Sequence, residues 1–438
     1  MNKVKRFDTL TPTLSLRERG CAFYSRDVMI RINVKMPMKI AIYANEIAEP
    51  GRSGVKTYSL EIIKELLKLD SADEYIIYSK RDISSLLGDE RARLVTEGPD
   101  MPYWAFSVFP RLVRRNKPDA VFLPIQIFPF FIRRKHKPKV VVTIHDTAFL
   151  LFPDQFTFLK RELLKFHTRR AAKLSDAIIV PSEATKRDVI KFYGVNAEKI
   201  AVIPHGVTSR TASGVAGFSL RAVWQRGSSV IPAEAGIQGE EYAQAEACYS
   251  KDRYVLFVGT IQPRKNIVRL AEAFARVKET QQFADLRLVI CGGKGWMYDE
   301  IFAELDRNPY KSDIILTGSV DDDVLVSLYK NAELFIMPSL YEGFGLPVLE
   351  AMSYGLPVIA SDNSSLSEIV GDAGLLVDAK SVEDIASKLK MLLTSQTLKA
   401  ELSKRSLERV KAFSWEKAAR ETKDVILKEV KDPVLMSQ

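Results

Sequence analysis

Twelve short, almost uninterrupted apolar runs, each followed by an amphipathic stretch, restrict this chain to very few folds. The first six are KIAIY (39–43), EYIIYS (74–79), DAVFLP (119–124), VVVTIH (140–145), DAIIVPS (176–182) and IAVIP (200–204). The second six are YVLFVG (254–259), LRLVICG (286–292), DIILTG (313–318), ELFIMPS (333–339), PVIAS (357–361) and GLLVD (374–378). Strands that are apolar on both faces belong to parallel sheets covered by helices on each side. Two such sets predict two doubly wound α/β domains. Sheets of this kind bind ligands beyond the carboxyl ends of their strands, so two facing domains enclose a cleft.

Outside these sets the pattern fails. Residues 1–37, with the polar, proline-broken TLTPTLSLRERG, read as a disordered extension, and Met36 or Met38 is a candidate start of the functional chain. Residues 208–252 are rich in Gly, Ser and Ala and contain SSVIPAEAGIQ, which reads as a mobile inserted linker. Both peptides resemble those encoded by dispersed bacterial repeat elements. The expected division is therefore an extension at 1–37, a first domain at 38–207, a linker at 208–252, a second domain at 253–412 and an amphipathic helix within 413–438.

Composition narrows the partners. The chain has 438 residues, is 46% hydrophobic and 27% charged, and carries a net charge of +9. That excess favours anionic partners. Cys21, Cys248 and Cys291 lie far apart and fit neither a disulfide framework nor a zinc site, which points to a reducing cytoplasm. The longest apolar run, AVFLPIQIFPFFI at 120–132, is too short to span a bilayer and contains two prolines. Residues 101–140 hold nine Lys or Arg against one Asp, and 157–173 hold six against one Glu, interleaved with Phe, Leu and Trp. Such stretches read as solvated helix faces or as surfaces for reversible contact with an anionic membrane. No recognition motif accompanies them, so nucleic acid is not an expected partner. Asp321, Asp322 and Asp323 open a predicted helix, where acidic residues are favoured, and are not read as a metal site.

The segment most able to carry chemistry is SLYEGFGLPVLEAMSYGLPVIAS (339–361). It reads as strand, glycine turn and helix, with Pro347 in the first helical turn and Gly355 at the stop. The turn exposes helix N–H groups to the cleft, a setting for an anion. Glu342 lies on the turn and Glu350 about one helical turn into the helix. The macrodipole alone could account for a glutamate there. A ligand combining phosphate with sugar hydroxyls accounts for both glutamates beside an anion seat. Nearby, VGTIQPRKN (258–266) follows a predicted strand, and Arg264 and Lys265 are placed either as a solvated turn or as a clamp on a diphosphate.

The stretch YEGFGLPVLEAMSYGLPVIAS resembles the E-x7-E signature of the family-4 retaining glycosyltransferases, of GT-B fold, and the likeness extends over 38–207 and 253–425. The resemblance implies two Rossmann-like domains facing across a cleft, with the C-terminal helix crossing back onto the first. It implies that Glu350 holds the nucleotide ribose and Glu342 the hydroxyls of the transferred sugar, while Phe344, Gly345 and Leu346 approach sugar and phosphate through the backbone. Lys265 matches the family lysine, and Arg264 supplies a second charge in place of the arginine that the family usually has where this chain has Thr260. The GT-x-x-PRKN form is similar to a subgroup that includes mannosyltransferases of bacterial surface polysaccharides. The resemblance further implies that Gly54, in NEIAEPGRSGVKTYSLEIIKEL (45–66), belongs to a loop that closes over the donor phosphates. It implies that His145 faces the transferred sugar, and Asp146, holding the His145 region through its backbone, and Ser182, lining the cleft, are expected beside it.

The implied reaction moves a hexose, with mannose favoured, from a GDP- or UDP-linked donor to a glycan or lipid-linked acceptor. It requires no metal and no cofactor beyond the nucleotide-sugar donor. The implied location is the cytoplasm or the inner face of the plasma membrane. An epimerase or phosphorylase on the same scaffold, or a non-catalytic donor-binding subunit, are the alternatives.

Overall fold

The computed structural model describes residues 37–431 except 50, 52, 70–71, 89–92, 99–103, 130–137 and 209–252. The expected extension up to residue 36, the repeat-like insertion, Cys21 and Cys248 lie outside the described residues.

All the expected strands form. The first sheet contains β1 (Lys39–Tyr43), β2 (Glu74–Tyr78), β3 (Arg93–Val95), β4 (Ala120–Leu123), β5 (Lys139–Thr143), β6 (Ala177–Val180) and β7 (Ile200–Val202). It is wholly parallel, in the order β3-β2-β1-β4-β5-β6-β7. The second contains β8 (Tyr254–Val258), β9 (Arg287–Cys291), β10 (Ile314–Gly318), β11 (Leu334–Met337), β12 (Val358–Ser361) and β13 (Leu375–Val377). It too is parallel, in the order β10-β9-β8-β11-β12-β13. The unexpected member is β3, a three-residue edge strand whose first residue is an exposed arginine, too short and too polar to show an apolar signature.

Alternation along β1 shows how the first sheet is buried. Ile40 and Ile42 join the core formed with Tyr58, Ile62 and Leu66 of helix α1 (Gly54–Lys68). Ala41 and Tyr43 join the opposite core with Trp104 and Phe109. The other helices that shape the site are α2 (Phe158–Leu174), α3 (Glu183–Tyr193), α4 (Ile267–Lys278), α5 (Asp322–Asn331), α6 (Leu346–Ser353), α7 (Leu366–Val370) and α8 (Trp415–Lys431). Asp322 and Asp323 occupy the first turn of α5.

Both sheets reverse their strand order once, between β1 and β4 and between β8 and β11. Loops leaving neighbouring strands diverge at such points, which opens a crevice. Both sheets lie within one compact unit beginning at Met38, and α8 ties the end of the chain to the first. Trp415, Ala418, Ala419 and Ile426 are buried in the core that holds Ile40 and Ile62. The Trp415 indole N–H donates to the Thr208 hydroxyl at 3.0 Å. Gly206 passes so close that a Cβ there would lie 2.1 Å from the Trp415 nitrogen.

Because Trp415 anchors this crossing, Trp415→Ala is expected to cost about 3–5 kcal/mol, read from urea unfolding. A loss below about 1 kcal/mol would show that the helix is held elsewhere.

Candidate active site

The glycine turn between β11 and α6 is jammed between the domains. Gly345, at φ 118°, caps α6 in a conformation that glycine tolerates best. A Cβ on Gly343 would lie 2.1 Å from the His145 carbonyl oxygen across the cleft. The turn therefore presents Glu342 from a backbone with little freedom. Ser364 accepts from the Glu342 N–H at 3.0 Å, and the Ser365 hydroxyl donates to the Glu342 carbonyl at 2.9 Å.

The Glu342 carboxylate is buried against two cations. Lys265 Nζ donates to Oε1 at 2.6 Å and Arg264 Nη1 to Oε2 at 3.2 Å. Arg264 also donates to the Tyr341 carbonyl. Both cations come from the 3₁₀ turn Pro263–Lys265, which leads through Asn266 at φ 61° into α4. Burial alone would raise the Glu342 carboxyl, but Lys265 and Arg264 outweigh it and hold it at about 2. Burial pulls Lys265 below its ordinary value, with Glu342 opposing. For Arg264, burial is outweighed by Glu342 and Asp146, and its affinity for the proton rises. These three side chains carry one positive charge in excess. The two cations are therefore not a solvated turn; they pair with Glu342, a contact that the local sequence does not show.

A cavity of about 570 Å³ opens between the domains. Ten of the eleven expected residues line it: Gly54, His145, Asp146, Arg264, Lys265, Glu342, Phe344, Gly345, Leu346 and Glu350. Glu350 accepts from the Tyr329 hydroxyl at 2.9 Å. His145 Nε2 bonds to the Pro124 carbonyl at 2.8 Å. A carbonyl can only accept, so Nε2 carries a proton, and in the neutral ring Nδ1 is then the acceptor. Burial lowers the His145 pKa, with the Pro124 bond opposing.

Ser182 departs from expectation. It lies outside the lining of this cavity; its hydroxyl caps α3, accepting from Thr185 N at 3.1 Å, and donates to the Gly343 carbonyl at 3.0 Å. Sequence reading also passed over lining residues. His205 is buried, its Nδ1 without a hydrogen-bond partner, and its ring lies 4.6 Å from that of Phe344. Gly292 and Gly293 follow β9 directly, and a Cβ on Gly292 would lie 2.1 Å from the Gly259 carbonyl oxygen. A glycine pair at the end of an apolar run was the available signal.

Two family profiles match the chain. Glycosyltransferase Family 4 covers residues 52–210, and Glycosyl transferases group 1 covers residues 238–409. The chain is 31% identical over 289 residues to O-antigen chain mannosyltransferase B of Escherichia coli, a match covering 65% of this chain and 69% of that one. The chain belongs to the family-4, group 1 glycosyltransferases. This glycosyltransferase is also 28% identical to the serotype-specific mannosyltransferase WbdA of Escherichia coli, over 64% of its own length but only 32% of WbdA. Among solved structures it resembles Anabaena HepE in complex with UDP-glucose, with a TM-score of 0.63 and 16% identity, over 89% of this chain and 100% of that one. The two parallel sheets of the glycosyltransferase thus form a GT-B fold.

A further carboxyl in the first domain has an altered affinity for its proton. Glu46, in the turn after β1, is half-buried, but both carboxylate oxygens are shielded from solvent without a hydrogen-bond partner. Burial pushes it from its ordinary 4.5 up to about 7, the nearby Ser59 hydroxyl opposing less strongly. Between those pH values the folded state keeps a proton that the unfolded chain has released. Stability therefore falls as pH rises through that window, by roughly 3 kcal/mol in all. Glu46→Gln is expected to remove this fall: urea unfolding should show the variant gaining on the wild type between pH 4 and pH 8. A constant difference across that range would refute the assignment.

Proposed function

We propose that this glycosyltransferase moves mannose, with retention of configuration, from a nucleotide-diphosphate mannose to a glycan or lipid-linked acceptor of a cell-surface polysaccharide. The observation that carries this reading is the Arg264–Lys265–Glu342 cluster beside Glu350 in one cavity. Desolvated cations with an uncancelled charge stabilise a departing diphosphate far better than solvated ones. Glu342, ionised by its neighbours, keeps acceptor capacity for sugar hydroxyls. Glu350 offers a second carboxylate for a ribose. The likeness to O-antigen chain mannosyltransferase B supports mannose, and the UDP-glucose bound to HepE supports a nucleotide-sugar donor.

In this reading the bond from the sugar's anomeric carbon to the phosphate oxygen breaks. The acceptor oxygen bonds to the same face, and its proton passes to the departing phosphate. The chain's own part is charge stabilisation and orientation, with Arg264 and Lys265 on the phosphate and His145 Nδ1 as an acceptor for a hydroxyl. Closure of the cleft would limit hydrolysis of the donor.

The membrane reading belongs to α2. Phe158 and Leu159 are 72% and 78% exposed, and Leu163 and Phe166 are exposed with them, amid Lys160, Arg161, Lys165, Arg169, Arg170 and Lys173. Apolar side chains among cations suit the headgroup region of an anionic bilayer, here on its cytoplasmic face. In the other basic stretch Trp104, Phe109, Leu112 and Val113 are buried in the core while Arg111, Arg114 and Arg115 are exposed, which favours the solvated-face alternative there.

Incubation with a panel of GDP- and UDP-linked sugars, read by mass spectrometry, is expected to show turnover of a mannose donor above the others. Lys265→Ala and Glu350→Ala are expected to lower that turnover at least about 100-fold with an unchanged circular dichroism spectrum. Near-normal rates in both variants would overturn the reading. For the membrane, sedimentation with phosphatidylglycerol vesicles should exceed that with phosphatidylcholine vesicles. The double variant Phe158→Ser, Leu159→Ser is expected to weaken it about tenfold, and equal sedimentation of variant and wild type would exclude α2.

A further inference from the structure

Beside the cleft the two domains meet through the N-terminus of α3. The Glu368 carboxylate, on α7 of the second domain, accepts from the backbone N–H groups of Glu183 at 2.9 Å and Ala184 at 2.8 Å. Arg187, one turn along α3, lies 3.6 Å from the same carboxylate. The positive end of a helix and its unpaired amides suit an anion, and here the other domain supplies it. The same helix start holds the glycine turn. Ser182 and Thr185 hydroxyls both donate to the Gly343 carbonyl, at 3.0 and 3.3 Å, and the Tyr341 hydroxyl donates to Asp188 of α3 at 2.7 Å. The residues on both sides of Glu342 are thus gripped by one helix of the first domain.

We propose that Glu368 is a positioning residue for sugar transfer. Its bonds to α3 set the first domain in register with the turn that carries Glu342, so that Glu342, Arg264 and Lys265 reach working geometry when the domains are docked. Glu368 is not among the residues that line the cavity. Its side chain is 32% exposed, so shortening it leaves no buried void, and an effect on transfer would come from lost registration.

The test uses the full chain with Glu368→Ala and Glu368→Gln. Hydrogen exchange over residues 183–185 is expected to accelerate in the alanine variant. With GDP-mannose as donor, kcat is expected to fall about tenfold or more, while KM for GDP-mannose and Kd for GDP stay within about threefold. The glutamine variant, which keeps one acceptor oxygen, should fall between alanine and wild type. A kcat within twofold of wild type would overturn the proposal, as would parallel losses of kcat, GDP affinity and melting temperature. The kinetic arm rests on the mannose-donor reading. A wild-type enzyme that leaves GDP-mannose intact would count against that reading, and exchange at residues 183–185 would then decide the clamp alone, unchanged rates refuting it.

Discussion

Two buried cations require a buried anion, and the architecture of the site follows from how Glu342 meets that need. Taking Arg264 and Lys265 out of water costs several kcal/mol per ion unless each is paired. Glu342 bonds to both. The pairing links the turn after β8 to the turn after β11, the two loops that leave the second sheet at its reversal of strand order. The remaining positive charge is already desolvated and aimed. An incoming anion would therefore meet a site whose reorganisation was completed on folding.

The packing around that cluster explains the glycines. Gly343 admits the His145 carbonyl and Gly292 admits that of Gly259, approaches that no Cβ could share. The first brings together loops from the two sheets, and the second the loops that follow the neighbouring strands β8 and β9. Close backbone approach is what allows a cavity of about 570 Å³ to be walled by turns from both domains. A wider side chain at either position would push the walls apart before any ligand was bound.

Strands buried on both faces announce themselves through continuous apolar runs, so the two sheets were legible in the sequence. β3, three residues with an exposed arginine, had no such mark. Glu342, Glu350, Arg264 and Lys265 were legible because turn chemistry placed each pair at a strand end. Their mutual pairing was not, because local pattern says nothing about contacts across 77 or 78 residues. Ser182 shows the same limit. A serine before a helix signals a cap, and it is one, but its bond to Gly343 depends on how the domains meet. The basic stretches were visible as charge counts. Only the structure tells that Phe109 faces the core while Phe158 faces solvent.

The cleft is chemically asymmetric. The second domain supplies Arg264 and Lys265, whereas the first contributes His145 and, from the chain leaving it, His205, with the buried Tyr58 behind both. Tyr58 packs at 4.9 Å from His145 and 4.5 Å from His205, and His205 stacks on Trp415. Burial lowers the pKa of both histidines, His145 adding to the effect on His205. Both rings are therefore neutral near neutral pH. Two neutral rings and the Asp146 carboxylate on the first domain leave the positive potential with Arg264 and Lys265, so an anionic group is drawn to the second domain. Hydroxyl-rich groups can meet hydrogen-bonding rings on the first. A ligand carrying a phosphate at one end and hydroxyls at the other is oriented by that difference alone, before any specific contact forms.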